Sequence, residues 1–189
     1  MKISFTGTGS SGKSTLLKRC REYYGDRFEY IPEVTRPIAR KGLKINEEGD
    51  AETQRAIIDA HIKNNKLDNV IMDRCIVDGA VYTTWLSLKN SNSVHRTVTQ
   101  YAWNVLDEIV NDIDIIFHPQ PVDIDDDGVR SINKQFQQEV HVLFNYTLYS
   151  SPRFKDVYKG KIISLNGDVE NRFNDIKIAI EKHEYTAIR

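Results

Sequence analysis

Residues 5–20, FTGTGSSGKSTLLKRC, put three glycines, a run of small hydroxyl residues and a lysine between an apolar start and an amphipathic stretch. Clustered glycines give up the most backbone entropy on folding, so their presence points to a backbone held where side chains would not fit. Gly7, Gly12, Lys13 and Ser14 match the pattern G-x-x-x-x-G-K-[ST], and the match lies between an apolar run and a helical one, where its mechanism needs it. Backbone N–H groups from Gly9, Ser10, Ser11 and Gly12 to the helix start at Ser14 and Thr15 can then converge on phosphate oxygens, assisted by the positive end of the helix. Lys13 would reach the β- and γ-phosphates, and the Ser14 hydroxyl would hold Mg2+. The loop is expected to wrap a nucleoside triphosphate.

Two other segments carry chemistry. In NVIMDRCIVDGAVY, residues 69–82, an apolar run delivers Asp73 to its C-terminal end, where open α/β sheets bind ligands. Asp73 could face the Mg2+ held by Ser14, and Arg74 could stabilise charge on a transferred phosphoryl group. Asp78 follows in the first turn of the next helix and is a further candidate on the acceptor side. In YIPEVTRPIAR, residues 30–40, Glu33 reaches the same edge of the sheet, where a carboxylate can orient a hydroxyl or take its proton. Arg36 and Arg40 could recognise an anionic part of that acceptor. Tyr82 and Trp85, at i and i+3, have flat rings able to stack on a base, as do Tyr101 and Trp103, although a stripe at this spacing is more often core.

Positioning these groups requires short strands alternating with longer helices. Apolar runs at 2–6, 28–32, 69–73, 113–117 and 161–165 read as strands. Amphipathic stretches at 13–24, about 50–66, 76–89, 95–111, 133–149 and 168–183 read as helices. That alternation predicts an α/β fold with a parallel sheet covered on both faces, in one domain over 1–189. The biased segment PQPVDIDDDG, 119–128, reads as a loop.

Composition narrows the classes. A chain of 189 residues, 40% hydrophobic and 28% charged, has the make-up of a globular domain, and its net charge of −1 gives no sign of a nucleic-acid coat. No signal peptide or membrane span is read, so the expected location is cytoplasmic, with no membrane partner. Cys20 and Cys75 have no CxxC spacing and the five histidines no ligand spacing, which argues against a zinc centre. A switch GTPase is disfavoured because Asn133-Lys134 continues as Gln135-Phe136, without the aspartate of NKxD.

Taken in order, GTGSSGKS, PEVTRPIAR, ETQ at 52–54, VIMDRCIVD and DDGVR at 126–130 resemble the P-loop AAA-type small kinases related to nicotinamide riboside kinase domains. Deoxynucleoside and thymidylate kinases are similar more broadly. The resemblance runs from Lys2 to about Lys182. It implies a P-loop fold with a five-stranded parallel sheet, ATP with Mg2+ as donor, and a nucleoside or nucleotide acceptor. It also implies Glu33 as acceptor-side base, Asp73-Arg74 as a DR motif, and 119–135 as a lid bringing Arg130 over the phosphates. Gly167 and Asp168, after the last strand, would pass the adenine base. Where many relatives have Ser after Asp-Arg, this chain has Cys75, a poorer hydrogen-bonding group. The lid also has a physical rationale: 119–128 is too acidic to approach phosphate unaided, so Arg130 would supply the positive charge and, on closing, exclude water. Two alternatives stay open: a regulatory NTPase without a small acceptor, and a kinase acting on a base hydroxyl in a polynucleotide. Monomer and homodimer are not distinguished.

Overall fold

The computed structural model describes residues 1–91, 94–123 and 131–187. Five strands, β1 (Lys2–Phe5), β2 (Glu29–Ile31), β3 (Val70–Asp73), β4 (Ile115–Pro119) and β5 (Lys161–Leu165), form one parallel sheet in the order β2-β3-β1-β4-β5. Side chains alternate across it. Ile3 and Phe5, Ile71, and Ile115 and Phe117 face one layer, while Val70, Met72 and Ile116 face the other. Strands buried on both faces have no polar side, which is why their sequences read as unbroken apolar runs.

The first layer holds α1 (Lys13–Tyr24) and α8 (Val169–Ala187). They bring Leu16, Leu17 and Cys20, and Phe173, Ile176 and Ile180, on to the sheet at helical spacing. The second layer holds α3 (Ala51–Asn65), α4 (Ile76–Lys89), α5 (Arg96–Ile109), α6 (Lys134–Asn145) and the short α7 (Pro152–Val157). At its centre, α4 buries residues on nearly every side. Among the described residues no helix is long and apolar enough to cross a membrane.

The five strands, the parallel sheet and the six long helices stand where the sequence pattern puts them, with local differences. Strand β4 is shifted by two residues from the expected 113–117, because the Ile113 N–H closes a 3-10 turn on the Val110 carbonyl. The strand instead runs on through His118 and Pro119, which pair with Ser164 and Leu165, so the expected loop at 119–128 starts inside the sheet. The helix expected over 133–149 ends at Asn145 and continues as one π turn, Tyr146–Ser150. A further helix, α2 (Thr35–Arg40), follows Glu33, with Pro37 in its first turn where no N–H is needed.

Candidate functional site

The carboxyl ends of β1, β2 and β3 meet at one edge, and register does the positioning. Phe5 lies opposite Asp73 in the parallel pairing, so the loop after β1 starts beside the last residue of β3. Gly7 (φ 144°) and Gly12 (φ 80°) take backbone conformations closed to side chains, and a Cβ at Gly7 would come 3.1 Å from the His118 ring. Inside the loop Lys13 is buried, and its Nζ donates to the carbonyls of Gly7 (3.0 Å) and Thr8 (2.6 Å) and to Ser11 Oγ (3.0 Å). Burial, then the neighbouring Arg74 charge, lower its pKa to about 8 against the pull of Asp73, Asp78 and Glu33. The ammonium is thus held by neutral oxygens that phosphate oxygens can replace.

Outside, the loop is tied to its neighbours, with the Thr8 hydroxyl donating to the Gln137 carbonyl (3.4 Å). The Gly9 N–H donates to Tyr82 Oη (3.1 Å), Gln137 Nε2 donates to the Gly9 carbonyl (3.1 Å) and the Val122 N–H donates to the Ser10 carbonyl (2.8 Å). Arg172 donates from Nη1 to the Ser11 carbonyl (2.9 Å) and from Nε to the Gly167 carbonyl (2.8 Å), joining the loop after β5 to the phosphate loop.

Ser14 Oγ donates to Asp73 Oδ2 at 2.6 Å, while Asp73 Oδ1 is buried without a partner among the described residues. Burial raises the Asp73 pKa even though Lys13 opposes it. A hydroxyl beside a carboxylate with an unsatisfied oxygen is the donor set a Mg2+ ion uses when most of its shell comes from phosphate and water, so these residues fit that ion.

Next to this pair is a dense charge network. Arg74 has a left-handed backbone (φ 81°), a conformation costing about 1 kcal/mol or more outside glycine. Its Nε donates to Glu33 Oε1 (2.7 Å) and its Nη1 to Asp78 Oδ1 (3.0 Å) and the Gly7 carbonyl (3.0 Å), with the guanidinium 5.1 Å from the Tyr82 ring centre. Burial alone would raise the Glu33 pKa. The Arg74 charge, the Thr35 hydroxyl at 2.7 Å and Lys13 outweigh it and hold the carboxyl at about 2.

Asp78 is turned inward. Its Oδ2 accepts from the Thr6 hydroxyl (2.5 Å) and the Cys75 N–H (3.1 Å), and its Oδ1 from the Gly7 N–H (3.2 Å) and Arg74. With Cys75 it forms the capping box of α4. Its oxygens are therefore spent on the protein, which sets it apart from the other acceptor-side candidates. The thiol of Cys75 sits 3.3 Å from Thr6 Oγ1, and burial pushes its pKa up to about 11.

A cleft of about 440 Å3, measured out to its open mouth, runs from this network between α3 and α4. Glu33, Thr35, Arg74 and Tyr82 line its outer part and Gln54, His61 and Leu86 its inner end. Of the expected acceptor residues, the structure brings Glu33, Asp78 and Tyr82 together here, beside Arg74. Trp85 goes to the core, 4.5 Å from the Phe136 ring, with its Nε1 on Glu139 (2.9 Å). Arg36 lies beside Glu33 at 3.7 Å and lines a separate groove with Ser14 and Asp73. Arg40 is exposed at the end of α2 and lines no part of the cleft, and Thr15 is exposed on α1. Asp168 accepts from the Asn171 N–H (2.8 Å) at the start of α8, leaving Gly167 as that loop's contact with Arg172. Tyr101 and Trp103 bond to Asp59 and Thr84, away from the cleft. Arg130 and residues 124–129 of the expected lid lie outside the described residues. Sequence reasoning did not single out Arg172, Gln137 or His61. For His61 the only signal was its position two helical turns after Gln54.

A family model described as AAA domain matches residues 2–172. No curated protein matches the chain significantly. Among solved structures, the deoxyadenosine kinase from M. mycoides with bound dCTP is similar over 96% of this chain and 100% of its own, with 20% identity and a TM-score of 0.70. The same kinase with the products dCMP and dCDP gives 18% identity and a TM-score of 0.68 over the same shares. The NadR protein in complex with NR aligns with 99% of this chain and 52% of its own, at 17% identity and a TM-score of 0.70. At these identities the likeness is one of fold, and it matches the P-loop kinase architecture expected from the motifs.

Proposed function

The chain belongs to the AAA domain family, and we propose that it is a P-loop kinase, transferring the γ-phosphoryl group of ATP to a nucleoside hydroxyl or to a phosphate oxygen of a nucleoside monophosphate. The observation that carries this reading is that Glu33 and Arg74 belong to two spaces at once. Both line the mouth of the phosphate loop, with residues 9–14, and both line the cleft. A protein that only hydrolyses a triphosphate needs a water at the loop. A transferase needs an organic cavity opening on to it with a carboxylate at the junction.

In this reading Lys13 exchanges the Gly7 and Thr8 carbonyls for phosphate oxygens when the donor binds. Ser14 and Asp73 would hold Mg2+, which supplies neutralisation of charge on the phosphate oxygens. Glu33 accepts a hydrogen bond from the acceptor hydroxyl and aims it at phosphorus. At a pKa of about 2 it is a weak base, which suits a loose transition state where positioning outweighs early proton removal. Arg74 keeps Glu33 ionised and, 3.0 Å from the Gly7 carbonyl, is close enough to stabilise the transferred group. Arg130 is proposed on sequence grounds as the cation that closes over the phosphates. The deoxynucleotides in the deoxyadenosine kinase structures support a nucleoside-like acceptor.

The test is acceptor dependence. ADP release from ATP and Mg2+ should be slow alone and faster by orders of magnitude with the right member of a nucleoside and monophosphate panel. Hydrolysis indifferent to every acceptor and responsive only to a macromolecular partner would make the protein a regulatory NTPase instead.

A further inference from the structure

One polar side chain in the cleft has no job in the transfer chemistry and no hydrogen-bond partner among the described residues. His61, on α3, is 2% exposed and lines the inner end of the cleft with Gln54, Ile57 and Leu86. Both its ring nitrogens are buried and unpaired among the described residues. An unmade hydrogen bond inside a protein is a standing cost, and it is recovered if a ligand supplies the partner. The surroundings keep the ring uncharged: burial, together with Arg74, lowers its pKa to about 4 despite the nearby Asp78 and Glu33. A neutral imidazole offers one N–H donor and one bare acceptor nitrogen. Two helical turns earlier, Gln54 lies with its Oε1 2.9 Å from the Thr83 hydroxyl, whose one proton is shared with the Gly79 carbonyl at 2.6 Å, and its amide turns the remaining polar groups to the cleft it lines. The His61 ring packs against Gly79 of α4, where an added Cβ would lie 3.4 Å from it. The charged groups nearest the cleft, Glu33, Arg74 and Asp78, are bonded to one another.

We propose that His61, with Gln54, reads the hydrogen-bonding edge of an uncharged planar heteroaromatic ring on the acceptor, so that the acceptor carries a purine- or pyrimidine-type base and not a cationic pyridinium ring. This rests on the reading of the cleft as the acceptor site. The ring slides between the apolar Ile57 and Leu86, and its polar edge meets a donor and an acceptor in a dry environment. A site built this way rejects an analogue that lacks the edge far more strongly than one differing by a methylene, because the buried groups are then left unpaired.

Direct binding tests this without turnover. Adenosine, guanosine, cytidine, thymidine, nicotinamide riboside and a phenyl C-riboside, whose ring has no polar edge, are titrated into the wild type, His61→Phe and His61→Gln by calorimetry. In the wild type at least one uncharged nucleoside should bind about tenfold or more tighter than the phenyl analogue and the pyridinium riboside. His61→Phe should lose most of that preference while binding the phenyl analogue as well as before, and His61→Gln, which keeps a donor and an acceptor, should restore part of it. Should either variant fold poorly, the 15N resonances of His61 in the wild type decide: they should move on nucleoside addition and stay put with the phenyl analogue. Equal binding of edge-bearing and edge-less rings, a uniform loss in His61→Phe, preference for the pyridinium riboside, or no binding by any of them would overturn the inference. Acceptor-dependent ADP release unaffected by His61→Phe would sink it and leave the kinase reading standing. Nucleoside binding through His61 with no phosphoryl transfer would do the reverse.

Discussion

Replacing Asp78 by Asn separates a structural anchor from a substrate contact, because the change keeps the shape and removes only charge and half the accepting capacity. The carboxylate accepts from four buried donors: the Thr6 hydroxyl and Cys75 N–H on one oxygen, the Gly7 N–H and Arg74 Nη1 on the other. The amide fits best with its NH2 toward Thr6, whose hydroxyl can turn to accept, so that the Cys75 N–H is left facing a donor while the Gly7 N–H and Arg74 share a neutral carbonyl oxygen. Each buried group left unsatisfied costs about 1–3 kcal/mol, and the Arg74 side loses a buried ion pair as well. A total of about 3–5 kcal/mol follows, a large share of the usual 5–15 kcal/mol of domain stability. For a chain of this size that is a fall in Tm on the order of 10 °C, readable by circular dichroism. Asp107→Asn, which weakens the exposed pair with Arg153, should cost about 1 kcal/mol or less. Because Asp78 holds the Gly7 N–H, the variant should also bind ATP more weakly, and saturating ATP should restore part of the lost Tm. An Asp78→Asn protein melting within a degree or two of the wild type, but deficient in acceptor binding alone, would refute the anchor role.

Lys13→Ala should lower turnover by about a hundredfold or more, since in the proposed reaction it removes the ammonium that would contact the transferred phosphate; near-normal turnover would contradict that role. The lowered Lys13 pKa also gives a proton linkage. Near pH 8.5 part of the free protein has a neutral Lys13, and phosphate contact restores the charge, so ATP binding should take up roughly half a proton or more there and almost none through this group at pH 6.5. Calorimetry in two buffers of different ionisation enthalpy reads this directly, and an absence of buffer dependence at pH 8.5 would count against it. Arg172→Ala, losing two bonds to the phosphate loop and its neighbour, should raise the ATP Kd about tenfold with kcat at saturating ATP little changed; a fall in kcat at constant Kd would place Arg172 in the chemistry.

The legible parts of this molecule are those whose physics is local. The glycine pattern around Lys13 requires a phosphate-type loop wherever it follows a strand, and an apolar run ending in Asp73 brings that carboxylate to the sheet edge whatever the rest does. Asp78 was harder to place because its partner Thr6 directly follows β1, and only the Phe5–Asp73 register makes them neighbours. Trp85 has a ring able to stack on a base although its spacing is more often that of core, and Phe136 from α6 covers it. His61 carried no motif, and its burial arises where α3 meets α4 opposite Gly79. The shift of β4 turned on one backbone bond, from the Ile113 N–H to the Val110 carbonyl, which no residue type announces.

The central claim is that phosphate loop and cleft form one transfer site joined at Glu33. Incubating the wild type and Glu33→Gln with ATP labelled at the γ-phosphate, Mg2+ and the nucleoside panel, and following where the label goes, tests it most directly. The account predicts label in a phosphorylated acceptor with the wild type, and a loss of about a hundredfold or more in Glu33→Gln with the ATP Kd changed by less than about tenfold. Label recovered only as inorganic phosphate, at the same rate with and without every acceptor, would contradict it.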